Sequence, residues 1–296
     1  MTASVTVPEI RARKRRRGSE PIVMITAYDT PFARVVDDAG VDLILVGDTL
    51  AEVVLGQRDT LHVDVEDMAH HVAAVARAEP HALVVGDMPW LSYHLEPGET
   101  VRNAARLVRA GAQAVKLEGG QRRVVAIRAI LEAEIPVMGH LGLTPQSVHV
   151  MGGYRVQGRE GAAAAELRRD AAALAQAGCF AVVLEGVPDA LAERITEEID
   201  VPTIGIGAGP NCDGQVIVLH DLLGLTDGEP ARFVRRYAEL GKVATTAVEN
   251  WAADVRASRY PSVAESYHAS AELLEALRLP ADGGRVGGGE GPGRAG

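Results

Sequence analysis

Only two cysteines, Cys179 and Cys212, occur in the 296 residues. Neither belongs to a CxxC pair, which excludes a disulfide framework and a cysteine zinc site. No apolar run approaches the roughly 20 residues needed to span a membrane, and the N-terminus lacks the apolar core of a signal peptide. Positive charge is also scarce. The formal net charge of −10 argues against a general binder of nucleic acid or anionic membrane. The phosphate loop GxxxxGK[ST] and the nucleophile elbow GxSxG are both missing. Gly205-Ile206-Gly207-Ala208-Gly209 is a poor nucleotide loop, because the GxGxxG spacing fails and Pro210 interrupts it. Glycines there are expected to let backbone approach a barrel mouth closely. A cytoplasmic enzyme acting on small molecules is the class that remains.

What the chain does have is alternation. Hydrophobic residues make up 47%, enough for a large core. Short apolar runs predict strands at 22–26, 41–47, 82–86, 114–117, 136–139, 180–184, 202–206 and 216–219. Between and after them, helices are expected at 31–40, 66–78, 99–110, 121–133, 160–177, 188–198, 230–250 and 262–277. Apolar strands alternating with helices mean a parallel sheet covered by helices. Eight strands close a (β/α)8 TIM barrel, and one barrel is expected over 21–278. A doubly wound open sheet is the alternative. Polar residues mark the ends of most strands instead of clustering at one switch point, which favours the barrel. Residues 1–20, with Arg11-Ala12-Arg13-Lys14-Arg15-Arg16-Arg17, read as a solvated basic segment. The Gly-rich stretch 279–296 has too little apolar surface to order itself and reads as a disordered tail.

The polar strand ends carry the chemistry. Val46-Gly47-Asp48 and Gly86-Asp87-Met88 set two carboxylates at the same end of neighbouring strands, where they could share a divalent cation. Hard oxygen donors suit Mg²⁺; the bland reading is that each caps a loop or helix. Lys116 and Glu118 are two apart and share a face if the strand continues that far. Lys116 could neutralise an anionic substrate and Glu118 could hold a metal-bound water, or the two could form a structural ion pair. Glu185 ends a strand ahead of Pro188, placed to act as a general base or as a charge at the next helix's N-terminus. His140 could bond a substrate or be a core histidine. His70 and His71 are adjacent on a helix, point apart and make no metal pair.

With these residues in view, the chain resembles the ketopantoate hydroxymethyltransferase (3-methyl-2-oxobutanoate hydroxymethyltransferase) family from about residue 20 to 268. The matching motifs are Ile25-Thr26-Ala27-Tyr28-Asp29, Val46-Gly47-Asp48, Asp87-Met88-Pro89 and Val115-Lys116-Leu117-Glu118-Gly119-Gly120. Gly139-His140-Leu141-Gly142-Leu143-Thr144-Pro145-Gln146 and Gly152-Gly153-Tyr154-Arg155-Val156-Gln157-Gly158 match as well. So do Leu184-Glu185-Gly186-Val187-Pro188 and Ile204-Gly205-Ile206-Gly207-Ala208-Gly209. The resemblance implies a (β/α)8 enzyme, usually a homodecamer, that makes ketopantoate for pantothenate and coenzyme A. It implies one Mg²⁺ per subunit on Asp48 and Asp87, with Glu118 supporting it through water. It implies that Thr49, where the family usually has Ser, holds the substrate carboxylate, that Lys116 and His140 contact the oxo acid, and that Glu185 is the base. The one-carbon donor would be 5,10-methylenetetrahydrofolate, for which no binding residues can be named.

Two segments depart from the family pattern. Gly47-Asp48-Thr49-Leu50-Ala51-Glu52 stands where the family usually reads Gly-Asp-Ser-Leu-Gly-Met, and Thr60-Leu61-His62-Val63-Asp64 where it reads Thr-Leu-Pro-Val-Thr. They are expected near the metal and substrate, and leave open a paralogue using a related 2-oxo acid. Another Mg²⁺ barrel of the isocitrate lyase and phosphoenolpyruvate mutase group is a further alternative, but its Lys-Lys-Cys-Gly-His type loop is absent. A barrel without catalysis would have been expected to lose several of these polar residues.

Overall fold

The computed structural model describes residues 4–14, 18, 20–226 and 228–278. The tail expected at 279–296 and the arginines at 15–17 lie outside these residues. Eight strands, β1 (Ile22–Thr26), β2 (Leu43–Val46), β3 (Leu83–Asp87), β4 (Ala114–Glu118), β5 (Val137–Gly142), β6 (Ala181–Glu185), β7 (Thr203–Ile206) and β8 (Gly214–Ile217), form a closed barrel in sequential order. Every pairing is parallel, and β8 closes on β1. The open sheet is therefore not the fold. β5 runs on to Gly142 and β8 begins at Gly214, both beyond the apolar runs that signal them. Of the five extra residues, all but Leu141 are polar or glycine (His140, Gly142, Gly214 and Gln215), so hydrophobicity alone hides their strand character.

The helices in chain order are α1 (Val7–Ala12), α2 (Thr30–Asp38), α3 (Leu50–Val53), α4 (Val65–Ala76), α5 (Pro97–Ala110) and α6 (Val124–Glu132). They continue with α7 (Val148–Met151), α8 (Gly161–Ala177), α9 (Asp189–Glu198), α10 (Leu219–Leu222), α11 (Leu240–Arg256) and α12 (Ala271–Ala276). Pro31 lies in the first turn of α2, and Asp29 caps that helix by accepting from the Phe32 N–H at 2.8 Å. Strand residues divide between two cores by their alternating direction. Val84, Val115, Leu117, Val182 and Leu184 face outward and pack with helix residues such as Val72, Leu107, Ile130 and Leu174. Leu43, Leu83, Val85, Met138, Val183 and Ile204 fill the barrel interior.

The N-terminal segment is not simply a solvated lead-in. Ile10 on α1 is wholly buried and belongs to the interior core, with Val5 and Val7 packed against it. Lys14 is buried too. Its Nζ donates to Asp213 Oδ2 at 2.7 Å and to the Val201 carbonyl at 3.1 Å. Asp213 also accepts from the Thr203 N–H at 2.8 Å. Basic residues read as surface by composition, but a lysine whose ammonium meets a buried carboxylate can be enclosed. Removing one partner of such a pair strands the other. Lys14→Met is therefore expected to destabilise the fold by about 3 kcal/mol, read as a lower urea midpoint at unchanged slope.

The chain separates into two compact units, Met1–Leu240 and Gly241–Gly296. Residues 230–239 are not helical as expected. Pro230 donates no N–H, and the N–H groups of Tyr237 and Ala238 bond to the Leu222 carbonyl instead of building a helix. In the second unit, the 262–277 helix reduces to a short 3₁₀ turn, Val263–Glu265, and α12. Trp251 and Tyr260 there meet edge to face at 6.3 Å. No helix among the described residues is long and apolar enough to cross a membrane.

Candidate active site

The strand register assembles the polar cluster. Asp87 pairs with Lys116 across β3 and β4, Glu118 with His140 across β4 and β5, and Gly142 with Glu185 across β5 and β6. Val46 pairs with Gly86, so Asp48 and Asp87 emerge side by side. Each lies at the C-terminal end of its strand, the face on which barrel enzymes build their sites. The structure thus brings together Asp48, Thr49, Asp87, Lys116, Glu118, His140 and Glu185, all lining one cavity of about 50 Å³. Gly142 is required here. Its φ is +95°, and a Cβ would stand 2.1 Å from the Glu185 carbonyl oxygen.

The contacts form one network. The Asp48 N–H donates to Asp87 Oδ2 at 3.2 Å. Lys116 Nζ lies 2.8 Å from Asp87 Oδ1 and 3.4 Å from His140 Nδ1. His140 Nδ1 is 3.4 Å from Glu118 Oε1, and its Nε2 is 3.3 Å from Glu185 Oε2. Gln146 ties the acids together: its Nε2 donates to Asp48 Oδ2 at 2.8 Å and its backbone N–H to Glu118 Oε2 at 3.1 Å. Tyr93 donates its hydroxyl proton to Gln146 Oε1 at 2.5 Å and accepts from the Glu118 N–H at 3.2 Å.

Burial sets the electrostatics. Asp48, Asp87, Lys116, Glu118 and His140 are each under 5% exposed. Burial, then the charges of Asp87 and Glu118, hold the Asp48 carboxyl well above the usual range. Burial also raises Asp87, against the pull of Lys116. For Lys116 burial favours the neutral amine, but Asp87, Glu118 and Asp48 outweigh it and raise its pKa. For His140, burial and Lys116 oppose the imidazolium, yet Glu118 and Glu185 prevail and bring its pKa to about 9.

This donor set fits a divalent cation. Four carboxylates, Asp48, Asp87, Glu118 and Glu185, line the cavity against two cationic groups, Lys116 and His140. With all four ionised, as they would be around a bound cation, the shortfall equals the charge of one divalent ion. Asp87 Oδ1 and Glu118 Oε1 are buried without a hydrogen bond of good geometry, and hard oxygen donors of this kind suit Mg²⁺. The same cavity has an apolar part, lined by Leu45, Val183, Ile206, Val216 and Ile217. It can hold an aliphatic group beside the charged cluster.

Sequence reasoning assigned no role to Tyr93, Gln146 or Tyr28. Tyr28 is buried, with its hydroxyl 2.8 Å from Thr49 Oγ1. Tyr93 lies in a turn and Gln146 in the 3₁₀ turn Pro145–Ser147, with no local spacing to betray them; only the Thr144-Pro145-Gln146 motif pointed to one. The departures from the family pattern also resolve differently. Asp64 caps α4 by accepting from Glu66 and Asp67 N–H groups, a task Thr also performs. His62 bonds Asp59 at the surface, and Ala51 is buried in the outer core. Of the changed residues, only Thr49 lines the cavity, and Glu52 reaches toward its mouth. His71 bonds the Tyr28 carbonyl, in keeping with a structural role. Gly207 serves close packing against Phe233, 2.8 Å from a hypothetical Cβ.

Comparison with known proteins gives a consistent result. The family model described as ketopantoate hydroxymethyltransferase matches residues 4–263. The 3-methyl-2-oxobutanoate hydroxymethyltransferase of Syntrophomonas wolfei is 52% identical over 276 residues, covering 93% of this chain and 99% of the relative. That of Ignicoccus hospitalis is 54% identical over 264 residues, covering 89% and 98%. Among solved structures, 2,3-dimethylmalate lyase, titled a PEP mutase/isocitrate lyase superfamily member, has a TM-score of 0.55 at 19% identity, covering 94% of this chain and 95% of that one. Phosphonopyruvate hydrolase, in complex with oxalate and Mg²⁺, has a TM-score of 0.57 at 13% identity, covering 93% and 95%. At such identities the likeness to these structures extends to the barrel fold alone. The long matches at about half identity go further: this chain belongs to the ketopantoate hydroxymethyltransferase family.

Proposed function

We propose that this chain converts 3-methyl-2-oxobutanoate to ketopantoate, with 5,10-methylenetetrahydrofolate as one-carbon donor, in the cytoplasm and as a homodecamer like others of its family. The observation that carries this reading is a buried carboxylate cluster, balanced by Lys116 and His140, beside an apolar wall and Glu185. Asp48 and Asp87 would hold Mg²⁺, with Glu118 supporting it through water; bound there, the ion supplies Lewis-acid stabilisation of charge developing on the oxygens of a 2-oxo acid.

The chain's own residues supply the rest. Lys116 and His140, both held in their cationic forms, offset the negative charge of the oxo acid and of the enolate derived from it. The Thr49 hydroxyl, oriented by Tyr28, donates to the substrate carboxylate. Leu45, Val183 and Ile206 receive the branched aliphatic end and keep water from the reacting carbon. Glu185, one-sixth exposed and 3.3 Å from His140, removes the proton from C3; the resulting carbanion forms the new C–C bond to the methylene carbon, whose bonds to the two folate nitrogens break as tetrahydrofolate leaves, with water supplying the hydroxyl.

The test is proton NMR of 3-methyl-2-oxobutanoate in D₂O with enzyme and Mg²⁺. The C3 proton signal is expected to disappear, to persist in EDTA, and to give way to ketopantoate once the folate donor is added. Mg²⁺ binding without exchange would remove 3-methyl-2-oxobutanoate as the substrate.

A further inference from the structure

Glu52 lies on α3, four residues beyond Asp48, where the family pattern has an uncharged methionine. Its carboxylate is half-buried at the barrel mouth, and Oε1 accepts from the Tyr154 hydroxyl at 3.4 Å. Tyr154 belongs to the segment after α7, 102 residues away in sequence. That segment is tied down beside Glu185 by the Gln157 N–H, which donates to the Gly186 carbonyl at 2.9 Å. The clasp therefore spans the mouth from the β2 side to the β6 side and holds one negative charge over the entrance. Burial acts most strongly on the Glu52 carboxylate, and Asp59, Asp221 and Glu185 lie near enough to add negative charge to its surroundings. Beneath them, the wall that receives the substrate's far end is apolar.

On the proposed reading, a 2-oxo acid binds with its own carboxylate at Thr49 and the cationic pair and its other end against this wall. An aliphatic end gains there by burial. A second carboxylate loses twice, by desolvation against Val183 and Ile206 and by repulsion from Glu52. Given a site for a 2-oxo acid, on which this rests, we infer that Glu52 is a specificity-determining residue: its carboxylate, held in place by Tyr154, turns away 2-oxo acids that bear a second carboxylate.

The experiment is C3 exchange of 3-methyl-2-oxobutanoate in D₂O with 2-oxoglutarate as competitor, giving the ratio of its inhibition constant to the KM of the monocarboxylate. In Glu52→Gln and Glu52→Met that ratio is expected to fall about tenfold, the effect of one charge several ångströms away at an effective dielectric between protein surface and water. Tyr154→Phe keeps the charge and loses the clasp, so a smaller fall is expected. The wild-type protein supplies a test that needs no variant. Raising salt from 20 mM to 500 mM screens the mouth charge and should lower the same ratio. A ratio unchanged in both Glu52 variants, or flat with salt, overturns the inference while leaving the proposed function intact. Absence of any exchange by the wild-type enzyme overturns the proposed function and the inference with it.

Discussion

Glu185→Gln is expected to slow C3 exchange of 3-methyl-2-oxobutanoate by roughly a thousandfold, the range in which removal of a positioned general base falls. The amide keeps the volume of the carboxylate and can still accept from His140 Nε2, now 3.3 Å from Glu185 Oε2, so the cavity should keep its shape. Glu185 is the most exposed carboxylate of the cluster, at 17% against 1–3% for Asp48, Asp87 and Glu118. It lines the same cavity as the apolar residues, and Lys116 pairs with Asp87 instead. Mg²⁺ affinity, measured by calorimetry, should accordingly change little. Retention of more than about a tenth of the exchange rate would assign the proton to another group; loss of Mg²⁺ binding would make Glu185 a ligand.

The second large effect separates the two aspartates. Asp48→Asn and Asp87→Asn should each weaken Mg²⁺ binding on the order of a hundredfold or more, since each removes a ligand charge. Without metal they should diverge. Asp87 is the direct partner of Lys116, and deleting it leaves a buried ammonium less well paired, at a cost of about 3 kcal/mol. Asp87 is raised by burial as well, but its direct partner Lys116 pulls it back, whereas at Asp48 burial and two acidic neighbours, Asp87 and Glu118, outweigh Lys116. The Asp48 pKa is pushed well up, so its ionised form is disfavoured in the fold relative to the unfolded chain. A raised carboxyl pKa means stability is lost as pH climbs past the unfolded value. Asp48→Asn removes that penalty. Melting in EDTA at neutral pH should therefore show Asp87→Asn below the wild type and Asp48→Asn at or above it. Equal losses in both would mean that the two carboxylates share Lys116 evenly.

Much of this was legible in the residues themselves. The two-residue step between Lys116 and Glu118 states that both face inward once β4 is known to reach Glu118, and β4 does end there. Pro31 and Gly40 bracket α2, and eight apolar runs count the strands, because local sterics and burial act over a few residues. Other features had no local signature. Lys14 reads as one more charge in a basic run until Asp213, 199 residues away, is folded against it. Gln146 is one polar loop residue among many until the barrel brings Asp48 and Glu118 within its reach. Tyr237 and Ala238 leave the helical pattern because the Leu222 carbonyl claims their N–H groups.

By itself, then, the sequence determined the barrel, the strand ends that carry charge and the family, since periodicity and short motifs are properties of neighbouring residues. The tertiary structure decided which charges meet. Parallel register set Asp87 against Lys116 and Glu118 against His140, and barrel closure enclosed them beyond the reach of water. Glu52 and Tyr154 met only because the loops after β2 and β5 open onto the same mouth. Electrostatic energy depends on distance and burial, and both arise only when segments remote in the chain pack together.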